Sequence, residues 1–178
     1  MNDLMSLGLH RLWKRSAAAA AAEAAEAVDG PVIDLAGGTG DLARLVAEAL
    51  PGRPVTNIDA SYGMIAAAAR RGAGRVGLAV AEAEHLPLAD ATVAVMTLGF
   101  GLRNMTDPRR ALAEMVRVLK PGGTLVLLEF STPKSWFAPL YRLYSRLVIP
   151  TLGALVAGDH RAYRYLIESI ERFPDAET

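Results

Sequence analysis

One stretch, Pro31-Val-Ile-Asp-Leu-Ala-Gly-Gly-Thr-Gly-Asp-Leu42, limits the folds open to this chain more than any other. Val32, Ile33 and Leu35 read as a short buried strand, Gly37, Gly38 and Gly40 as a tight turn, and Asp41 as the start of a helix. A strand that stops at glycines and restarts as a helix presents backbone N–H groups to a ligand, as doubly wound α/β proteins do. The glycines fall as G-G-x-G, not as the G-x-G-x-x-G of dinucleotide sites. An acid, Asp34, sits inside the strand.

The rest of the chain repeats this alternation. Met1 to Arg15 reads as a short helical arm. Ser16 to Val28 reads as an alanine-rich helix with Ser16 as its N-cap. After the glycine turn, Asp41 to Leu50 is expected to be helical, Val55 to Ile58 a strand, Ser61 to Arg71 a helix capped by Ser61, and Val76 to Val80 a strand. Thr92 to Leu98 follows as a strand, Gly99 to Thr106 as a loop, and Asp107 to Leu119 as a helix with Asp107 capping and Pro108 in its first turn. Pro121-Gly122-Gly123 reads as a turn before a fifth strand, Thr124 to Phe130. Strands alternating with helices at this spacing predict a mainly parallel sheet flanked by helices. Beyond Ser131 helices are expected, over Lys134 to Val156, bent at Pro139 and Pro150, and over Tyr163 to Arg172. No repeat or low-complexity linker interrupts the 178 residues, so one domain is expected: a helical arm over 1–28, a ligand-binding core over 31–130 and a helical segment over 131–178.

Composition narrows the function classes. The 19 basic and 19 acidic residues balance, which argues against a general nucleic-acid binder. There is no cysteine, which excludes disulfides, cysteine-ligated zinc and thiol catalysis. No uncharged apolar run reaches the ~18 residues of a membrane span, and no signal peptide is visible at the amino end.

Several side chains stand where such a fold places ligands. Asp59 ends the second strand. A carboxylate there accepts hydrogen bonds from both hydroxyls of a ribose held over the glycine turn; the alternative is an acid that caps the next helix. Glu82, after the third strand, suits an adenine amino group, with Leu86 and Met64 flanking the ring; the alternative is a solvated loop residue. Asp34 is placed to hold an ammonium, directly or through water, because a buried strand acid needs a partner. Thr39 and Asp41 are weaker candidates for that end. Together these suit S-adenosylmethionine, a nucleoside with an amino-acid tail and no phosphates. The loop Gly99-Phe100-Gly101-Leu102-Arg103-Asn104 leaves the fourth strand at its carboxyl end, where ligands sit in open sheets. Arg103 is suited to orient an oxygen anion; the alternative is a surface arginine on a flexible connection.

Five segments then stand in order: Asp34-Leu-Ala-Gly-Gly-Thr-Gly-Asp41, Ile58-Asp-Ala-Ser-Tyr-Gly-Met64, Ala83-Glu-His-Leu-Pro87, Phe100-Gly-Leu-Arg-Asn104 and Glu114-Met-Val-Arg-Val-Leu-Lys-Pro-Gly-Gly123. The chain resembles the class I S-adenosylmethionine-dependent methyltransferases. More narrowly it resembles the ubiquinone/menaquinone biosynthesis C-methyltransferase family, through Met1 to Arg15, Phe100 to Asp107, Leu128-Glu-Phe-Ser131 and Tyr163 to Ile170.

The resemblance implies a Rossmann-like fold and methyl transfer from S-adenosylmethionine to a ring carbon of a polyprenylated quinol, with no metal. Carried over, Thr39, Asp59, Glu82 and Ala83 fall on cofactor-binding positions. Asp34, Gly37, Gly38, Gly40, Met64 and Gly99 complete the expected cofactor site. Arg103 falls in the substrate-side loop, expected to bind with Phe100 and Asn104. It is the candidate to stabilise a phenolate or hold a water that takes the proton. His10 is a candidate base, titrating near neutrality, although a lone histidine on an arm is more often structural. Tyr141, Tyr144 and Asp159 are further substrate-side candidates. Trp136 to Val156 is expected either to cover the core or to meet the prenyl tail and the membrane surface. That implies a cytoplasmic protein touching the inner face of the membrane, with a homodimer or a quinone-synthesis complex as candidate assemblies.

Three departures accompany the resemblance. Gly99 stands where the family often carries Ser or Ala. Ala91-Thr-Val-Ala-Val95 lacks a usual Phe-Asp pair. The chain ends at Thr178, where the resemblance implies a further helix and two more strands, so a shortened sheet is expected, with its fifth strand covered by the later helices or by another subunit. A different methyl acceptor, or a non-catalytic member of a complex, are the rival readings.

Overall fold

The computed structural model describes residues 9–129. The helices expected over Lys134 to Val156 and Tyr163 to Arg172, the start of the arm, and the candidates Tyr141, Tyr144 and Asp159 lie outside the described residues. Leu12–Glu129 form one compact unit; Leu9 to Arg11 fall in another.

Five strands, β1 (Val32–Leu35), β2 (Val55–Asp59), β3 (Val76–Val80), β4 (Val93–Gly99) and β5 (Leu119–Leu128), form one all-parallel sheet in the order β3-β2-β1-β4-β5. Four α-helices accompany them: α1 (Leu9–Ala27), α2 (Asp41–Ala49), α3 (Tyr62–Arg70) and α4 (Pro108–Val118). The sheet winds outward in both directions from β1. Every residue of β1, and Val93 to Leu98 of β4, is buried. A parallel strand covered on both faces reads as a continuous apolar run, and V-I-x-L and V-A-V-M-x-L do so. Their carboxyl ends flank the topological switch point, where open sheets bind ligands.

Small side chains set the helix packing. Ala17, Ala18, Ala21 and Ala25 of α1 form a buried stripe at helical spacing. They join Val32, Val46, Val55, Val76, Ala94 and Val95 in one core. On α2 the buried face is Leu42, Ala43, Val46 and Ala47. Arginines meet the carbonyls left over at helix C-termini. Arg53 donates to the carbonyls of Ala25 (2.5 Å), Val28 (2.9 Å) and Gly30 (3.2 Å), at the end of α1. Arg75 donates to those of Ala47 (3.2 Å) and Pro51 (2.6 Å), at the end of α2. Each places a cation at the negative pole of a helix dipole.

Three details differ from the sequence expectation. Ser16 does not cap a helix; it lies inside α1, which runs unbroken from Leu9. Once a helix is nucleated, continuing through one serine costs a few tenths of a kcal/mol, less than stopping and starting again. Pro121-Gly122-Gly123 is not a turn ahead of the strand. β5 begins at Leu119 and absorbs those residues as an irregularity opposite Val93 and Val95. Gly122 takes φ +79° there, a conformation that favours glycine. The loop after β4 contains a 3-10 turn, Leu102–Asn104. Ser61 and Asp107 do cap α3 and α4, accepting from the backbone N–H of Met64 and Arg110 respectively. Among the described residues no helix is long and apolar enough to cross a membrane.

Candidate functional site

The glycine turn is held by two side chains of one strand. Asn57 and Asp59 alternate along β2 and therefore face the same side. Asn57 Nδ2 donates to the carbonyl of Gly38 (3.1 Å), and the Gly38 N–H donates to Asp59 Oδ2 (2.9 Å). Asp59 Oδ1 accepts from the Ser61 N–H (2.8 Å), so the acid also steadies the entry to α3. Two backbone donors occupy two of about four lone-pair positions on a carboxylate, which leaves capacity for a diol. A β-carbon at Gly38 would meet nothing within 4 Å, so the turn is open on that side. Gly37 is the opposite case: a β-carbon there would stand 2.4 Å from both Asn57 Oδ1 and Asp34 Oδ2. Asn57 was not singled out in the sequence. Its signal was an amide in an otherwise apolar strand, two positions before the acid.

Beneath the turn, Thr97, Asp34 and Asn57 sit side by side on β4, β1 and β2 at one register. All three are fully buried. The Thr97 hydroxyl donates to Asp34 Oδ1 (2.7 Å). Asp34 Oδ2 and Asn57 Oδ1 are buried without a hydrogen-bond partner among the described residues. Burial pushes the Asp34 carboxyl up to about 7, partly offset by the Thr97 hydroxyl and then by the backbone N–H of Ala43.

Around the mouth of the turn, cations gather on Asp41. Arg44 lies 2.5 Å, Lys14 3.4 Å and Arg71 3.8 Å from its carboxylate. Partial burial would raise the Asp41 carboxyl, but the three cations outweigh it and hold it below its usual range. Arg71 also donates to the Thr39 hydroxyl (3.0 Å).

The loop after β3 carries Glu82 and Met64's expected ring partner Leu86. Glu82 is exposed, while Ala83 and Leu86 are buried. Glu114 and Arg117 of α4 fix this loop. Glu114 Oε2 accepts from the Leu86 N–H (2.9 Å), and Arg117 donates to the carbonyls of Leu86 and Leu88 and to Asp90. The bond from Arg117, and then that from Leu86, draws the Glu114 carboxyl down to about 2. Glu84 accepts from the backbone N–H of Thr106 and Asp107, which ties the same loop to the segment after β4. Sequence reading did not assign these three roles, because each depends on a partner over twenty residues away.

The β4 loop meets the glycine turn directly. A β-carbon at Gly101 would lie 2.7 Å from the Ala36 side chain, so glycine is needed where the two strand ends converge. Ala36 and Phe100 both take positive φ, +50° and +59°, at this edge. Such strain in non-glycine residues gathers at functional sites. At Gly99 a β-carbon would press on the Leu42 side chain at 3.2 Å. Phe100 is buried, its ring 6.5 Å from that of Trp13 and 6.0 Å from the Arg103 guanidinium. Arg103 forms a buried ion pair with Glu129, just past β5. Asn104 Nδ2 donates to the Phe100 carbonyl (3.3 Å). His10 is buried on α1, and Met64 is exposed in the first turn of α3.

The structure thus gathers Asp34, Gly37 to Gly40, Asp59, Met64, Glu82, Ala83 and Gly99 to Asn104 at the carboxyl edge of one parallel sheet. An acid with spare lone pairs beside an open glycine turn fits a ribose. This fold and edge define the S-adenosylmethionine-dependent methyltransferase class.

The profile of the ubiE/COQ5 methyltransferase family matches residues 1–178. The ubiquinone/menaquinone biosynthesis C-methyltransferase UbiE of Rubrivivax gelatinosus is 53% identical over 175 residues, 98% of this chain and 68% of that one. The protein of the same name from Acidiphilium cryptum is 47% identical over 188 residues, 100% of this chain and 72% of that one. Among solved structures, a SAM dependent methyltransferase from Aquifex aeolicus superposes with a TM-score of 0.50 at 26% identity, over 59% of this chain and 58% of that one. The chain belongs to the ubiE/COQ5 methyltransferase family, and its cofactor is S-adenosylmethionine.

Proposed function

We propose that this protein methylates a ring carbon of a polyprenylated quinol in ubiquinone or menaquinone biosynthesis. What carries the reading is the match of the whole chain to relatives bearing that name, and the carboxyl-edge geometry supports it. When bound, S-adenosylmethionine supplies an electrophilic methyl group. Asp59 takes the ribose hydroxyls on its remaining lone pairs, while Asn57 and Asp59 fix the Gly38 peptide beneath it. Glu82 takes the adenine amino group, with Met64, Ala83 and Leu86 along the ring. Thr39 and the turn from Gly37 to Gly40 face the amino-acid tail, with Gly99 at the neighbouring strand end.

On the acceptor side, Phe100, Arg103 and Asn104 meet the quinol. The Arg103 guanidinium stabilises the quinolate oxygen, and Glu129 fixes its orientation. By the sequence resemblance alone, His10 is the candidate proton acceptor, and loss of kcat in His10→Ala with unchanged cofactor Kd is the expected outcome. The lipid-soluble substrate is met at the membrane surface by an otherwise cytoplasmic protein, which vesicle co-sedimentation tests.

Methyl transfer to demethylmenaquinol, measured against other phenolic and sterol acceptors, tests the central reading. Quinol-selective methylation is expected; equal or preferred transfer to the other acceptors would overturn it. Arg103→Gln is expected to lower kcat by about 100-fold with little change in cofactor Kd.

A further inference from the structure

The buried row under the glycine turn contains a chemical inconsistency that one proton resolves. Asp34 Oδ2 and Asn57 Oδ1 are both acceptors when Asp34 is ionised, both are buried, and neither meets a donor at full hydrogen-bond geometry among the described residues; the Ala43 N–H in the first turn of α2 acts on the Asp34 carboxyl more weakly and favours its ionised form, but burial outweighs it. They also converge: each lies 2.4 Å from the point where a Gly37 β-carbon would stand, so they are within twice that distance of each other. Flipping the Asn57 amide does not help. Its Nδ2 would leave the Gly38 carbonyl, and Oδ1 would face that carbonyl instead. Two unpaired acceptors side by side in a dry interior are costly.

We propose that Asn57 is a positioning residue for cofactor binding, held in place by a neutral Asp34 whose carboxylic O–H donates from Oδ2 to Asn57 Oδ1. The bonds then run one way across three strands. Thr97 donates to Asp34, Asp34 to Asn57, and Asn57 to the carbonyl of Gly38, whose own N–H is held by Asp59. Donor chains of this kind polarise and strengthen each member. Two charged groups act on the Asp34 carboxyl from neighbouring elements: Lys14 of α1 favours its ionised form, and Asp59 of β2 opposes it. Burial dominates both and places the transition near neutrality. Ionisation would set two negative acceptors against each other and free the Asn57 amide, loosening the Gly38 peptide that faces the ribose.

The inference rests on the nucleoside site proposed above. The test uses 5′-methylthioadenosine, which carries the ribose and adenine but no amino-acid tail, so no ligand group titrates near neutrality. Wild-type affinity is expected to fall about tenfold between pH 6 and pH 9. Asp34→Asn supplies a permanent donor toward Asn57, and its affinity should not change over that range. Asn57→Ala should bind at least tenfold more weakly at pH 6; Asn57→Asp, which keeps the shape, should recover little of it above neutral pH. Infrared spectroscopy at pH 6 gives a readout independent of binding: a protonated-carboxyl stretch that is absent in Asp34→Asn and fades above neutral pH. A pH-independent wild-type affinity, or no such band, overturns the inference. A wild-type protein that binds the probe at no pH while showing the band overturns the nucleoside site instead.

Discussion

The two edges of the sheet are built on opposite terms. At the amino edge, leftover helix carbonyls are matched by arginines: Arg53 closes α1 and Arg75 closes α2, while Lys120 donates to the Asp29 carbonyl (2.6 Å). Backbone strain occurs there too, at Ala91 before β4 (φ +51°), but its N–H is tied to the Arg117 carbonyl (3.0 Å). At the carboxyl edge, Ala36 and Phe100 take positive φ, a carboxyl is buried among apolar strands, and two oxygens lack partners among the described residues. The first edge matches its polar groups within the fold, and the second keeps buried polar groups unmatched beside the place where a ligand binds. This division is what a stability–function balance requires of a single small core.

Substitutions separate the edges, and the largest effect is expected at the turn. Gly37→Ala would drive a methyl into Asp34 and Asn57 at 2.4 Å. Cofactor affinity is expected to fall by at least 100-fold, measured by calorimetry, with several kcal/mol of stability lost in urea. If Gly37→Ala bound normally, the carboxyl edge would not be as tightly built as described.

The next effect depends on pH. Asp34 is raised in the folded state from 3.8 to about 7. The unfolded chain therefore releases its proton first, and stability falls as pH rises from about 4 through 7, then levels off. Asp34→Asn removes this dependence. Its stability advantage over wild type should grow by about 3 kcal/mol between pH 4.5 and pH 8, read from urea midpoints at each pH. A constant difference would mean that the carboxyl is ionised throughout.

The amino edge should give smaller and functionally silent changes. Arg53→Ala is expected to cost about 2 kcal/mol through three abandoned carbonyls, and Arg75→Ala about 1 kcal/mol through two. Thermal unfolding measures both. Neither should alter cofactor Kd, and a change there would erase the contrast between the edges.

Much of this was legible in the sequence. The glycine turn, the strands before it and after it, and the acid ending β2 announce themselves through local chemistry: glycine for positive φ, apolar runs for doubly covered strands, a serine or aspartate one residue before a helix. What was not legible depends on partners far along the chain. Ser16 looked like a cap because cap preference is local, whereas propagation of α1 past it is cooperative. Pro121-Gly122-Gly123 looked like a turn because its residues are turn formers, and only the ladder with β4 shows an irregular strand. Asn57 carried a visible oddity, an amide between Thr56 and Ile58, but its meaning required Asp34 on the neighbouring strand. The Arg103–Glu129 pair likewise joins two loops that sequence alone leaves separate.

The row of Thr97, Asp34 and Asn57 also bears on how the sheet is assembled. β1 and β4 are otherwise apolar and short, and Val, Ile and Leu would pair almost as well one step out of line. A shift of β1 by one residue against β4 would set Asp34 opposite Met96 or Leu98, stripping it of its hydroxyl partner and burying it unpaired. The three polar side chains therefore work as an alignment key: a misthreaded sheet is penalised at its centre before any ligand arrives.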